Sequence, residues 1–149
     1  MKNTIFVKET NFNKLKNIIN ENKDNKIIFS SNDDDLNRKV LEKLPINMLL
    51  INQKDNKDFQ KQRGSGFNHV FAKIAKKNKI NIGINFDEII NSKGKQKAEI
   101  IARVIQNIKL CNKDKLKMHF ISENHKRDVH DLRALGLVFG MPTWMTKCL

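Results

Sequence analysis

Two glycines around a serine, flanked by cations, form the stretch whose residue types and spacing most suggest chemistry: Lys61-Gln62-Arg63-Gly64-Ser65-Gly66-Phe67-Asn68-His69. Glycines at a helix start expose backbone N–H groups, and the helix dipole adds partial positive charge, so a phosphate fits there. Lys61 and Arg63 would reinforce the attraction. The spacing is not that of a nucleotide-binding P-loop, and Ser65 has an ordinary alternative role as a helix N-cap. In the helix that follows, His69, Lys73, Lys76 and Lys77 recur at i, i+4, i+7 and i+8 on one face, while Phe67, Val70, Phe71 and Ile74 recur at core spacing on another. A charge stripe is commonly just a solvated face. This one holds no carboxylate and begins at the glycine turn, so it could also follow a nucleic-acid backbone, adding affinity but little base reading.

A second polar cluster comprises His119, Glu123, His125, Asp128, His130 and Asp131. Three histidines could serve a catalytic metal, as in a small phosphoesterase, but their spacing matches no ligand motif, and the ordinary reading is that these groups cap a helix or face solvent. Lys126, Arg127 and Arg133 in the same stretch suit phosphates better. Nucleophilic catalysis has little to work with: Ser65 has His69 one turn on, without a Gly-x-Ser-x-Gly elbow or a third orienting group. With no Tyr and one Trp, at position 144, stacking platforms for unpaired bases are limited to Phe, which favours recognition of shape and phosphates.

The elements that must position these residues alternate. Short apolar runs at Thr4–Val7, Lys26–Phe29, Asn47–Ile51, Ile80–Phe86, Lys117–Ile121 and Leu137–Phe139 read as six strands. Between them Asn11–Asn20, Asp34–Leu44, Gly66–Asn78, Lys95–Lys113 and Asp128–Leu135 have helical spacing. Such alternation predicts an α/β domain with a parallel sheet and right-handed crossovers, barrel-like or open. The long helix is expected to bury Ala98, Ile101, Ala102, Ile105 and Ile108, with Asn91 or Ser92 as its cap. Asp128 is expected to cap the next helix and Gly136 to end it in the left-handed conformation. Met141-Pro142-Thr143-Trp144 resembles a further helix start. Gln53–Gln62 is polar apart from Phe59 and reads as a loop within one domain spanning 1–149.

At 149 residues the chain is about half the length of a complete eight-fold barrel, so any barrel must be abbreviated. Net charge is +13, divided unevenly: residues 1–60 carry +2 and residues 61–149 carry +11. That polarity makes a polyanion the first partner to consider. No run approaches eighteen apolar residues, no secretory signal opens the chain, and Cys111 and Cys148 lack metal-site or redox spacing, so a cytoplasmic protein with reduced thiols and no membrane partner is expected.

Two segments carry a family resemblance. Arg63-Gly64-Ser65-Gly66-Phe67-Asn68-His69-Val70, followed by the strand at Ile80–Phe86, and Ser122 to Arg127, followed by Asp131-Leu132-Arg133-Ala134-Leu135-Gly136-Leu137-Val138-Phe139-Gly140, resemble ribonuclease P protein component 3 of archaea and eukaryotes. The likeness covers residues 61–141; residues 1–60 share only its strand-and-helix rhythm and look trimmed. It implies a shortened or partial (β/α) TIM-like barrel of about six βα units, related to the PHP phosphoesterases without their metal ligands. It also implies a non-catalytic role in removing 5′ leaders from precursor tRNA. The ribonuclease P RNA would then hydrolyse the bond and hold the Mg²⁺, with no cofactor on this chain. Component 2 and other holoenzyme proteins would be its partners, one of them covering an open strand edge, and precursor tRNA would be contacted indirectly. By residue match Arg63, Ser65, Gly66 and His69 would meet RNA, with Lys61, Lys73, Lys76, Lys77, Lys126, Arg127 and Arg133 added from charge. A metal-dependent phosphoesterase using His119, His125 and His130, or a free-standing RNA-binding protein, are the competing readings.

Overall fold

The computed structural model describes residues 2–58, 60 and 63–149. Lys61, named above as a candidate phosphate contact, lies outside them, as do Phe59 and Gln62 of the predicted loop.

Five parallel strands in chain order form the sheet among the described residues: β1 (Thr4–Val7), β2 (Lys26–Ser30), β3 (Met48–Ile51), β4 (Asn81–Asn85) and β5 (Met118–Ile121). Consecutive parallel strands joined by right-handed crossovers place the connecting helices on one face. These helices are α1 (Phe12–Glu21), α2 (Asp34–Lys43), α3 (His69–Lys77) and, after the short α4 (Phe86–Asn91), the long α5 (Gly94–Lys113). The main core lies between them and the sheet: Leu15 and Ile19, Val40 and Leu41, Phe71 and Ala75, and Val104 and Ile108 meet Phe29, Leu49, Ile82 and Met118. On the other face Ile28, Met48 and Leu50 form a smaller cluster with Phe6 and Ile121. Gly83 sits in that cluster because a Cβ there would meet Leu50 Cδ1 and Met48 Sδ at 3.0 Å.

Polar caps set the helix starts. Asn11 Oδ1 accepts from the N–H groups of Asn13 and Lys14, and Asp33 Oδ1 from those of Asp35 and Leu36. Asp128 caps α6 (Val129–Val138) as expected, accepting from the His130 N–H at 2.7 Å. Pro142 holds the N-cap position of the final short helix α7 (Thr143–Thr146) without a side-chain bond.

Four expectations fail. The sixth strand, Leu137–Phe139, does not form: Leu137 and Val138 continue α6, because the apolar run is too short to leave a helix already capped and packed through Leu132 and Leu135. The unit count is therefore five strands, not six, among the described residues. Gly136 is not the helix terminator; it is buried within α6, where a Cβ would lie 2.8 Å from Met141 Sδ, and the left-handed residue is Gly140 at φ +95°. The long helix is turned by about one residue from its apolar stripe: Ile100, Arg103, Val104, Asn107, Ile108 and Cys111 face inward, and Ala98 is exposed. Neither Asn91 nor Ser92 caps it; Lys93 holds the N-cap position without a side-chain bond, and the Ser92 hydroxyl donates to Ile89 O.

Candidate nucleic-acid interface

The described residues of the connection from β3 to α3 are pinned from within. Ser65 is the hub. Its carbonyl accepts from Gln53 Nε2 at 2.7 Å and Asn107 Nδ2 at 3.1 Å, while its hydroxyl accepts from Gln106 Nε2 and donates to Phe67 O. Arg103, buried on α5, donates to Asp58 Oδ1 at 3.1 Å and to Gln53 O at 3.4 Å. Asp58 also accepts from the Gly64 N–H, and that bond, then the Arg103 guanidinium, holds its carboxyl below the ordinary carboxylate value. These contacts explain why α5 turns Arg103 and Asn107 inward, and no apolar periodicity could have revealed them.

Both glycines have backbone reasons. A Cβ on Gly64 would collide with Lys57 O, and Gly66 occupies the left-handed region at φ +67°. Ser65 is 2% exposed, so its hydroxyl faces the interior and not a ligand. The helix begins at His69 and not at Gly66, and its cap is Asn68, whose Oδ1 accepts from the Phe71 N–H. Of the predicted set in this segment, Arg63 and His69 are exposed and Gly66 is half-buried.

The basic face of α3 does present itself to solvent: Lys73, Lys76 and Lys77 are exposed, while Phe71, Ala72 and Ala75 are buried. Val70, expected in the core, is 39% exposed. Lys126 and Arg127 are exposed in the loop after β5; Arg133 is half-buried on α6 with its Nε enclosed and unpartnered. No hydrogen bond or ion pair among the described residues joins these three to the α3 face.

A cleft of about 430 Å³ opens at the C-terminal ends of the strands, lined by Asn52, Asn85, Asp87, Glu88 and Glu123 among others. Of these residues the sequence singles out only Glu123; the others are not evident, since Asn in strand-end positions resembles turn chemistry. Asn52 Nδ2 donates to Ser30 Oγ, and Asn85 Nδ2 to Asn52 Oδ1. Burial raises the Glu88 carboxyl above its ordinary value, although the N–H groups of Gln53 and Lys54 bind it. Burial also opposes ionisation of Asp87, but the Ser122 hydroxyl and backbone N–H groups outweigh it and hold that carboxyl low. Both carboxylates are thus engaged by the protein's own donors. His125 Nε2 lies 3.2 Å from Asn91 Oδ1, whereas His119 is on β5 and His130 is exposed on α6. Among the described residues no three His, Cys, Asp or Glu side chains group as metal ligands, and no helix is long and apolar enough to cross a membrane.

The class of architecture defined by these elements is an α/β fold with five consecutive parallel strands. No protein-family model matches the sequence, nor does any curated protein. Among solved structures the fold is similar to a chain in the cryo-EM structure of archaeal ribonuclease P with mature tRNA, at a TM-score of 0.79 and 20% sequence identity. The match covers 97% of this chain and 62% of that one.

Proposed function

We propose that this chain is a non-catalytic protein subunit of ribonuclease P, of the component 3 kind, folded as a shortened (β/α) barrel. The observation that carries the reading is the fold likeness, over nearly the whole chain, to a chain of archaeal ribonuclease P. The Arg63-Gly64-Ser65-Gly66-Phe67-Asn68-His69 segment and the exposed cations of α3 support it. In this reading the ribonuclease P RNA performs the hydrolysis and carries Mg²⁺, and the protein braces that RNA through phosphate contacts. Arg63, His69, Lys73, Lys76 and Lys77 form one set of contacts, and Lys126, Arg127 and Arg133 a second. Gly64, Ser65 and Gly66 act differently from a phosphate loop: they hold Arg63 and His69 where they stand. Component 2 is the expected protein partner, precursor tRNA is met through the RNA, and the setting is cytoplasmic.

Cleavage of precursor tRNA by the cognate RNA and component 2, with and without this chain, tests the proposal. Stimulation that needs the RNA and weakens with Arg63→Ala or His69→Ala is the expected result. Cleavage by the chain alone, or no stimulation, would overturn it.

A further inference from the structure

A second cleft, of about 420 Å³, lies at the opposite edge of the sheet, where β4 and β5 begin. It is lined by Lys76, Lys79, Lys115 and Lys117 together with Ile80, Asn81 and Leu116, and no carboxylate contributes. All four lysines are exposed, and none takes part in an ion pair among the described residues.

The cleft is built by two matching turns. After α3 the Ile80 N–H returns to Ala75 O at 2.9 Å, and after α5 the Leu116 N–H returns to Cys111 O at 2.8 Å. This closure requires a left-handed residue just past each helix. Lysine fills it both times, Lys79 and Lys115 each at φ 56°, where glycine would be easier. The turns are tied together: Lys76 Nζ donates to Lys115 O at 3.0 Å, and Lys115 Nζ stands 5.4 Å from the centre of the Trp144 ring. Cations near helix C-termini offset the dipole, but two helix ends carry only about one negative charge between them. Four ammonium groups leave a positive excess even with the Asp114 carboxylate beside Lys115 counted. Nearby, burial holds the His119 imidazole below its ordinary pKa, and the charges of Lys26 and Lys117 push it the same way.

We propose that this lysine cleft is a phosphate-binding site for RNA backbone, continuing the basic face of α3 around the N-terminal edge of the sheet. It rests on the RNA-subunit reading and adds Lys79, Lys115 and Lys117 to the contacts. Lys76 and Lys77 at the end of α3 join the two surfaces, so one RNA strand can run along the helix and turn into the cleft.

Lys79→Gly with Lys115→Gly tests the site, because glycine removes both charges while favouring the left-handed backbone. Binding of the cognate ribonuclease P RNA is measured across a salt series, with Lys14→Gln plus Lys16→Gln on α1 as the control and thermal melting to verify folding. The expected result is weaker binding, with the slope of log K against log salt reduced by about two, and no change in the control. Unaltered affinity and slope in the glycine variant would overturn the cleft while leaving the subunit reading intact. So would intact RNA binding with lost component 2 assembly, which would assign the lysines to an acidic protein surface. Failure of the unaltered chain to bind this RNA would overturn both.

Discussion

The two edges of the sheet carry clefts of nearly equal volume, about 430 Å³ and 420 Å³, and opposite chemistry. At the C-terminal ends of the strands, amides and carboxylates are locked into one another and into backbone N–H groups. At the N-terminal ends, four lysines face solvent with no carboxylate lining the cleft. Charge counted along the chain, +2 against +11, understates how the fold sorts it. Helices in a βα unit run opposite to the strands, so helix ends meet the sheet where strands begin, and lysines following α3 and α5 collect there.

The largest effect is expected at Gly64. Replacement by Ala places a methyl group against Lys57 O, so the pinned loop must shift at a cost of about 3 kcal/mol. Gly94→Ala, where nothing lies within 4 Å, bears only the strain of φ +56° and serves as reference in denaturant unfolding. Gln53→Leu is next. Gln53 is buried, its Nε2 serves Ser65 O, and its Oε1 accepts from Asn56, so the leucine variant leaves polar groups poorly satisfied and loses about 2 kcal/mol by the same measurement. Neither change should alter the lysine cleft: RNA affinity falls with the disturbed Arg63 and His69 contacts, but the further loss of salt slope on adding Lys79→Gly with Lys115→Gly should persist, measured at temperatures where both variants remain folded.

The smallest effect concerns the opposite edge. His119 in the fold releases its proton more readily than in the unfolded chain. Above its ordinary pKa of about 6.5 both states are neutral and the group contributes nothing; as pH falls below that value the unfolded chain gains the proton first, and stability declines. His119→Gln should flatten the melting temperature between pH 7 and pH 5, pH values of about that range being set by the same ordinary pKa.

All five strands were legible because Ile, Val, Leu, Met and Phe recur in runs that a sheet covered on both faces requires. What escaped reading was governed by contacts distant in sequence. Gly136 looks like a helix end but exists to let Met141 approach, and α5 buries Arg103 and Asn107 because a loop some forty residues earlier needs donors. Ser65 was visible as a special residue, yet its burial depends on Gln53, Gln106 and Asn107, none of which advertises that role. The lysine cleft did leave a trace: Asn78-Lys79-Ile80 and Asp114-Lys115-Leu116 place an Asx, a lysine and an apolar residue at the same point before consecutive strands.

Trp144 donates its indole N–H to Asn112 Oδ1 at 3.0 Å while the Lys115 ammonium stands over its ring. It is the chain's single tryptophan, and there is no tyrosine, so near-ultraviolet emission comes from one known place. An anion that draws the ammonium aside alters the charge above that ring. Through Lys115 the molecule therefore carries a built-in optical reporter beside the lysine cleft, and occupancy there can be followed by colour and intensity without attaching a dye.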